Sequence, residues 1–200
     1  DLNDVGGGSE GRLRVGGHSK GGNLAGYASA RCKEQVQNLI WKVYDNDGPG
    51  FRQEFLETPE LLAVTPKIVR IIPEYSIIGL LLLHNVKPLV VKSSQNAAMQ
   101  HDGLTWEVLG NHFVYAKEVG AASLVFDKTL KNWMGEIEES KREAFIDDFF
   151  SVLQAPGVET LTELQSGGLR NLKAMLSRAE ELQPESKKII QQLLKEIWNS

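Results

Sequence analysis

The sequence predicts an α/β fold: the carboxyl-terminal part of an α/β-hydrolase fold, mostly parallel in its sheet, with an appended α-helical subdomain. Two observations carry the prediction. Short apolar runs that read as strands alternate with helix-like patterns between Arg12 and Asp127, which implies a largely parallel sheet. After Asp127 the composition turns to charged, helix-forming sequence with apolar residues at helical spacing. At 200 residues and 42% hydrophobic, the chain suits one domain with such an addition.

Residues 1–11, "DLNDVGGGSEG", are polar and glycine-rich and read as a flexible lead-in. Residues 12–127 form the predicted core. "RLRVGG" is a short strand stopped by glycines, and Leu24, Ala25, Ala28 and Cys32 recur at helical spacing after it. A second strand, Leu39 to Tyr44, ends in the turn formers "DNDGPG". Thr58 caps a short helix with Pro59 at its first position. Lys67 to Ile72 and Pro88 to Ser93 are the third and fourth strands. Residues 128–200 hold four helical patterns: "TLKNWMGEIEES", "KREAFIDDFFSVLQ", "LRNLKAMLSRAEEL" and "ESKKIIQQLLKEIW". Their apolar stripes, such as Phe145, Ile146, Phe149, Phe150 and Leu153, read as core.

Several functions are excluded at this level. A net charge of −4, without basic clusters among aromatics, argues against nucleic acid as a partner. The single cysteine, Cys32, permits no internal disulfide and no zinc ribbon, which points to a reducing, cytoplasmic setting. The longest apolar run, Ile77 to Leu83, is far short of a transmembrane segment. No cofactor motif survives its context. The pattern G-x-G-x-x-G at Gly6, Gly8 and Gly11 precedes a strand instead of following one, and no Gly-Lys pair exists for a phosphate loop.

One motif carries chemistry. Gly17-His18-Ser19-Lys20-Gly21 spells G-x-S-x-G between a predicted strand and a predicted helix, the setting of a nucleophile elbow. The bare pattern arises by chance in about one chain in fifteen of this length, so its weight comes from that setting. Glycines at positions 17 and 21 are expected to clear the neighbouring strand and helix from a strained serine. Ser19 would stand at a helix amino terminus, with the Lys20 backbone N–H as an oxyanion donor.

A serine nucleophile needs a base, and the base needs an orienting acid. His101 lies after the fourth strand, at a loop length suited to returning over the carboxyl edge of the sheet, where α/β sites lie. His18, His84 and His112 are less well placed. For the acid, Asp47 ranks first and Glu74 is the alternative, with Asp45 also at a strand end; turn chemistry alone also accounts for Asp45 and Asp47.

At "GGHSKGGNLAGYA", "YDNDGPGF", "IIPEYSIIGLLL", "VVKSS", "QHDGLTWEV" and "TLKNWMGEIEESKREAFIDDFF" the sequence resembles the Mbeg1-like family, α/β-hydrolase-like proteins distantly similar to class 3 lipases. The resemblance runs from about Arg12 to at least Gly157. It implies Ser19 as nucleophile and His101 as base. The lipase analogy puts the acid after the third strand, where Tyr75 and Ser76 stand, leaving Glu74 displaced and Asp47 in contention. Such folds have strands before the nucleophile strand and draw a second oxyanion N–H from an early loop. Only eleven residues precede "RLRVGG". The core is therefore expected to lack its early strands, supplied by a missing amino-terminal half or a second chain.

The functional expectation is a serine hydrolase of lipase or esterase type, acting without a cofactor on a small ester or lipid-like substrate. Ile77 to Leu83 would line an acyl site or simply fill the core. The rival expectations are a catalytically degenerate hydrolase fold used for binding, and a thioesterase or peptidase.

Overall fold

A computed structural model describes residues 2–6, 11–121, 123–125, 127–128, 139–157, 163 and 167–199. Its centre is a parallel sheet of four strands in the order β1-β2-β3-β4, formed by Leu13–His18, Ile40–Asn46, Ile68–Pro73 and Leu89–Val91. The register aligns the ends of the strands: His18 lies opposite Asn46, Asn46 opposite Ile71, and Pro73 opposite Val91. The ladder continues just past two of them, the Ser19 N–H donating to the Asn46 carbonyl at 2.9 Å and the Asp47 N–H to the Ile71 carbonyl at 2.8 Å. The chain segments that follow β1, β2 and β3 thus leave the sheet side by side.

Helices cover the sheet where their small residues allow close approach. α1 is Leu2–Gly6, α2 Lys20–Arg31 and α3 Glu34–Leu39; α2 buries Gly22, Ala25, Gly26, Ser29 and Ala30. Ala25 joins Ile40, Val43 and Val64 in one apolar cluster, while Ala30 joins Leu56 and Leu61 in another. After α4 at Gln53–Leu56, Thr58 caps α5 at Pro59–Val64, its hydroxyl accepting the Leu61 N–H with Pro59 at the helix start.

Three details depart from the sequence reading. Residues 2–6, expected within a flexible lead-in, form α1, and the Asn3 side-chain oxygen accepts the Lys33 N–H at 2.8 Å, which tethers the segment. Leu39 ends α3 instead of opening the second strand. That strand then runs on through Asp45 and Asn46, residues read as turn formers, because both pair across the sheet. A two-stranded hairpin, β5 Val108–Leu109 with β6 His112–Phe113, was not anticipated; Gly110 at φ 65° makes its turn.

Beyond the sheet, α6 Glu139–Gln154, α7 Gly168–Glu180 and α8 Pro184–Asn199 match the last three helical patterns. The first pattern, residues 129–140, lies outside the described residues except for Glu139 and Ser140, which belong to α6. Phe145, Phe149, Val152, Met175, Ala179, Ile190 and Leu194 pack with Tyr75, Ile77 and Leu81 in a single cluster. The apolar run after β3 is thus core at Ile77 and Leu81. Among the described residues no helix is long and apolar enough to cross a membrane.

Candidate active site

Ser19 occupies the turn between β1 and α2 with φ 56° and ψ −130°, a conformation that costs a non-glycine residue about 1–3 kcal/mol. Hydrogen bonds on both sides hold it there: its N–H is fixed to Asn46, and its carbonyl accepts the Gly22 N–H at 2.9 Å. A side chain at Gly17 would put Cβ 2.3 Å from the Gly21 carbonyl, so the expected need for glycine is met there. Gly21 differs from expectation. A Cβ at that position meets nothing within 4 Å, whereas one at Gly22 would lie 2.2 Å from Asp45 Oδ1. Gly22, not Gly21, is the buried first-turn residue that faces the sheet.

On the far side of the turn, His101 closes a short 3-10 segment, Ala97–His101, that follows β4. Its Nδ1 lies 2.7 Å from Asp47 Oδ2. Asp47 is fully buried, in a left-handed backbone conformation at φ 52°, just past the end of β2. Its other oxygen, Oδ1, accepts the Ser76 hydroxyl at 2.5 Å. Ser76 is itself buried and fixed by its N–H, which donates to Ser123 Oγ at 3.0 Å; that hydroxyl donates to the Glu74 carbonyl at 3.3 Å. Of the two candidate acids, Asp47 is the one that meets the imidazole. Glu74 holds the same corner by its backbone, with its N–H on the Val91 carbonyl and its own carbonyl accepting the Gly120 N–H.

Two neighbours of Ser19 tie the turn to the surrounding loops. The His18 ring lies 4.5 Å from the His101 ring, and its Nε2 donates to the His101 carbonyl at 2.6 Å. Lys20 donates to Asn23 Oδ1 at 2.8 Å, and Asn23 in turn donates to the Gly50 carbonyl at 2.8 Å and the Pro49 carbonyl at 3.2 Å. Lys20 Nζ is thus engaged away from the serine, while its backbone N–H stands at the first helical position, where an α-helix offers no internal acceptor. Among the described residues no hydrogen bond joins Ser19 Oγ to His101.

Beneath the turn lies a buried ion pair that the sequence reading did not single out as a pair. Asp45 and Arg70 face each other across β2 and β3, with Arg70 Nε 4.0 Å from Asp45 Oδ2. Burial pushes the Asp45 carboxyl up to about 6, against the pull of Arg70 and the Gly48 N–H; the nearby Asp47 adds to the rise. The same burial lowers the Arg70 guanidinium, opposed by Asp45, Asp47 and Asp127. At the far end of α2, burial raises the pKa of the Cys32 thiol and so reduces its thiolate.

Ser76 and Arg70 are the site neighbours that sequence reasoning missed. A signal existed for each: a serine in an otherwise apolar segment at a strand end, and an arginine inside the apolar strand "KIVRIIP".

A four-stranded parallel sheet flanked by helices, with a strained serine between β1 and α2 and a His–Asp pair at the same edge, defines an α/β protein of the kind the sequence predicts. The chain belongs to the Mbeg1-like family, whose model matches residues 1–151. No curated protein and no solved structure matches it.

Proposed function

We propose that this protein is a serine hydrolase of esterase type, with Ser19 as nucleophile, His101 as general base and Asp47 as the acid that orients it. The observation that carries this reading is the pairing of His101 Nδ1 with the buried Asp47 carboxylate, on a loop that is itself bonded to His18, the residue before a strained serine.

The chemistry follows from those positions. With its Nδ1 proton held on Asp47, His101 presents Nε2 as the basic nitrogen. Ser19 Oγ attacks the ester carbonyl and passes its proton to Nε2. The resulting imidazolium is stabilised by Asp47, and the negative oxygen by the Lys20 N–H and the amino-terminal dipole of α2. His101 then protonates the leaving alcohol, and water reverses the sequence to release the acid. The hydrogen bond between Ser19 and His101 forms as substrate binds, as happens in sites where resting catalytic contacts are long.

Fluorophosphonate labelling tests the reading. The wild-type protein is expected to take up the probe on Ser19, located by peptide mass, while Ser19→Ala and His101→Ala do not react. Equal labelling of wild type and Ser19→Ala overturns it. A comparison of acetyl esters, acetyl thioesters and acetyl amides as substrates then separates an esterase from a thioesterase or a peptidase.

A further inference from the structure

We propose that Asp45 and Arg70 form a brace that positions the Asp47 carboxylate, each reaching it through the backbone of a neighbouring glycine. The inference rests on the role assigned above to Asp47 and extends it to two residues that touch no substrate.

The environment of the pair makes stability an insufficient reason for it. Val43, Leu56, Leu61 and Ile68, together with the polar Thr65 and His84, line the same small cavity as Asp45 and Arg70, and both charged residues are at least nine-tenths buried. Apolar residues of similar volume stabilise such a site as well as an ion pair does, or better. What the pair does instead is hold two pieces of main chain. Asp45 Oδ1 accepts the Gly48 N–H at 3.0 Å, and Gly48 directly follows Asp47. That oxygen is wedged: a Cβ on Gly48 would lie 2.3 Å from it and one on Gly22 2.2 Å from it. The carboxylate therefore spaces the acid turn from the first turn of the serine helix.

Arg70 works from the other side. Its Nη2 donates to the Gly79 carbonyl. Gly79 packs directly on the acid, since a Cβ there would be 2.2 Å from Asp47 Oδ1 and 2.7 Å from Ser76 Oγ. The Oδ1 that Gly79 abuts is the oxygen that Ser76 holds, so the loop after β3 and the turn after β2 are fixed against one another. A displacement of either rotates the Asp47 carboxylate relative to His101. Misplacement by about 1 Å costs a catalytic arrangement roughly 100-fold.

The test compares wild type with Asp45→Asn, which keeps an acceptor oxygen, and with the apolar double variant Asp45→Leu/Arg70→Met. Melting temperature, kcat and KM on p-nitrophenyl acetate, and the low-field proton resonance of the His101 Nδ1–H are measured for each. The double variant is expected to melt near wild type but to lose roughly 100-fold in kcat with KM little changed, and its Nδ1–H resonance is expected to move or broaden. Asp45→Asn should keep more of both signals. A folded double variant with wild-type kcat and an unshifted resonance overturns the brace. If the double variant does not fold, Arg70→Met alone decides, because it removes the donor to the Gly79 carbonyl: a resonance and kcat identical to wild type overturn the proposal. Should wild type prove inactive, the hydrolase reading fails on its own, while the resonance still reports whether the pair sets the Asp47–His101 contact.

Discussion

His101 Nδ1 and Asp47 Oδ2 lie 2.7 Å apart, the imidazole 16% exposed and the carboxylate fully buried. A contact of that length between these groups fixes both the ring orientation and the nitrogen that carries the proton. Replacing the acid by its amide keeps the shape and removes the charge, which leaves the imidazolium unsupported and favours the wrong tautomer. Asp47→Asn is therefore expected to lower kcat on p-nitrophenyl acetate by roughly 10⁴-fold with an unchanged circular dichroism spectrum. A loss under tenfold would remove Asp47 from the mechanism.

Ser76 supplies the next prediction. Its hydroxyl satisfies the Asp47 oxygen that faces away from the imidazole, at 2.5 Å and out of contact with solvent. A hydrogen bond to a charged group contributes about 1.5–3 kcal/mol. Ser76→Ala should thus reduce kcat about tenfold to 100-fold, while Ser76→Thr, which retains the donor, keeps more activity. Equal losses in the two variants would argue for a packing effect alone.

The position of Ser76 also explains what the sequence could and could not reveal. The four strands, the serine turn, the Thr58 cap and the last three helices were legible because each has a local cause: periodicity, a capping oxygen or a glycine stop. His101 and Asp47 can be nominated from their places after strands, but their meeting depends on the parallel register of β2, β3 and β4, which no local pattern specifies. Analogy with lipases pointed to an acid after the third strand. Ser76 stands there instead and donates to an acid from the second, an arrangement visible only once the two loops are side by side. Asp45 was read through its turn propensity, yet strand pairing with Arg70 overrides that propensity.

The glycines of the serine turn give opposite predictions for two residues four apart. Gly17→Ala drives Cβ to 2.3 Å from the Gly21 carbonyl, a backbone clash that no rotamer relieves. The variant is expected to lose several kcal/mol, on the order of 3, or to refold the turn and lose fluorophosphonate labelling. At Gly21 the space is open and φ is not positive, so Gly21→Ala should stabilise the protein by about 0.4–1 kcal/mol through the unfolded chain. Urea denaturation of the two variants checks both signs. A stable, reactive Gly17→Ala would show that the turn is not held as described.

His18 offers a test of how the base is seated. The ring both lies against the His101 ring, tilted by 40° with the centroids 4.5 Å apart, and donates to its carbonyl. His18→Phe preserves the ring contact and removes the donor, so the loss is that of one hydrogen bond, about 0.5–1.5 kcal/mol or roughly twofold to tenfold in kcat. His18→Ala removes both contacts and should lose more. If His18→Phe matches wild type and His18→Ala does not, the ring surface is what seats His101.

Asp45 makes stability depend on pH in an unusual direction. Its carboxyl titrates near 6 in the folded protein, against an ordinary value of 3.8. Between these values the folded state holds a proton that the unfolded chain has released, so unfolding becomes easier as pH rises through that window and changes no further above it. The whole difference corresponds to about 3 kcal/mol, of which about 2 kcal/mol falls between pH 4 and pH 7. Urea midpoints measured across this range should therefore fall with rising pH more steeply in wild type than in Asp45→Asn, which has nothing to titrate at that position. Parallel curves for the two proteins would show that Asp45 is ionised at no cost.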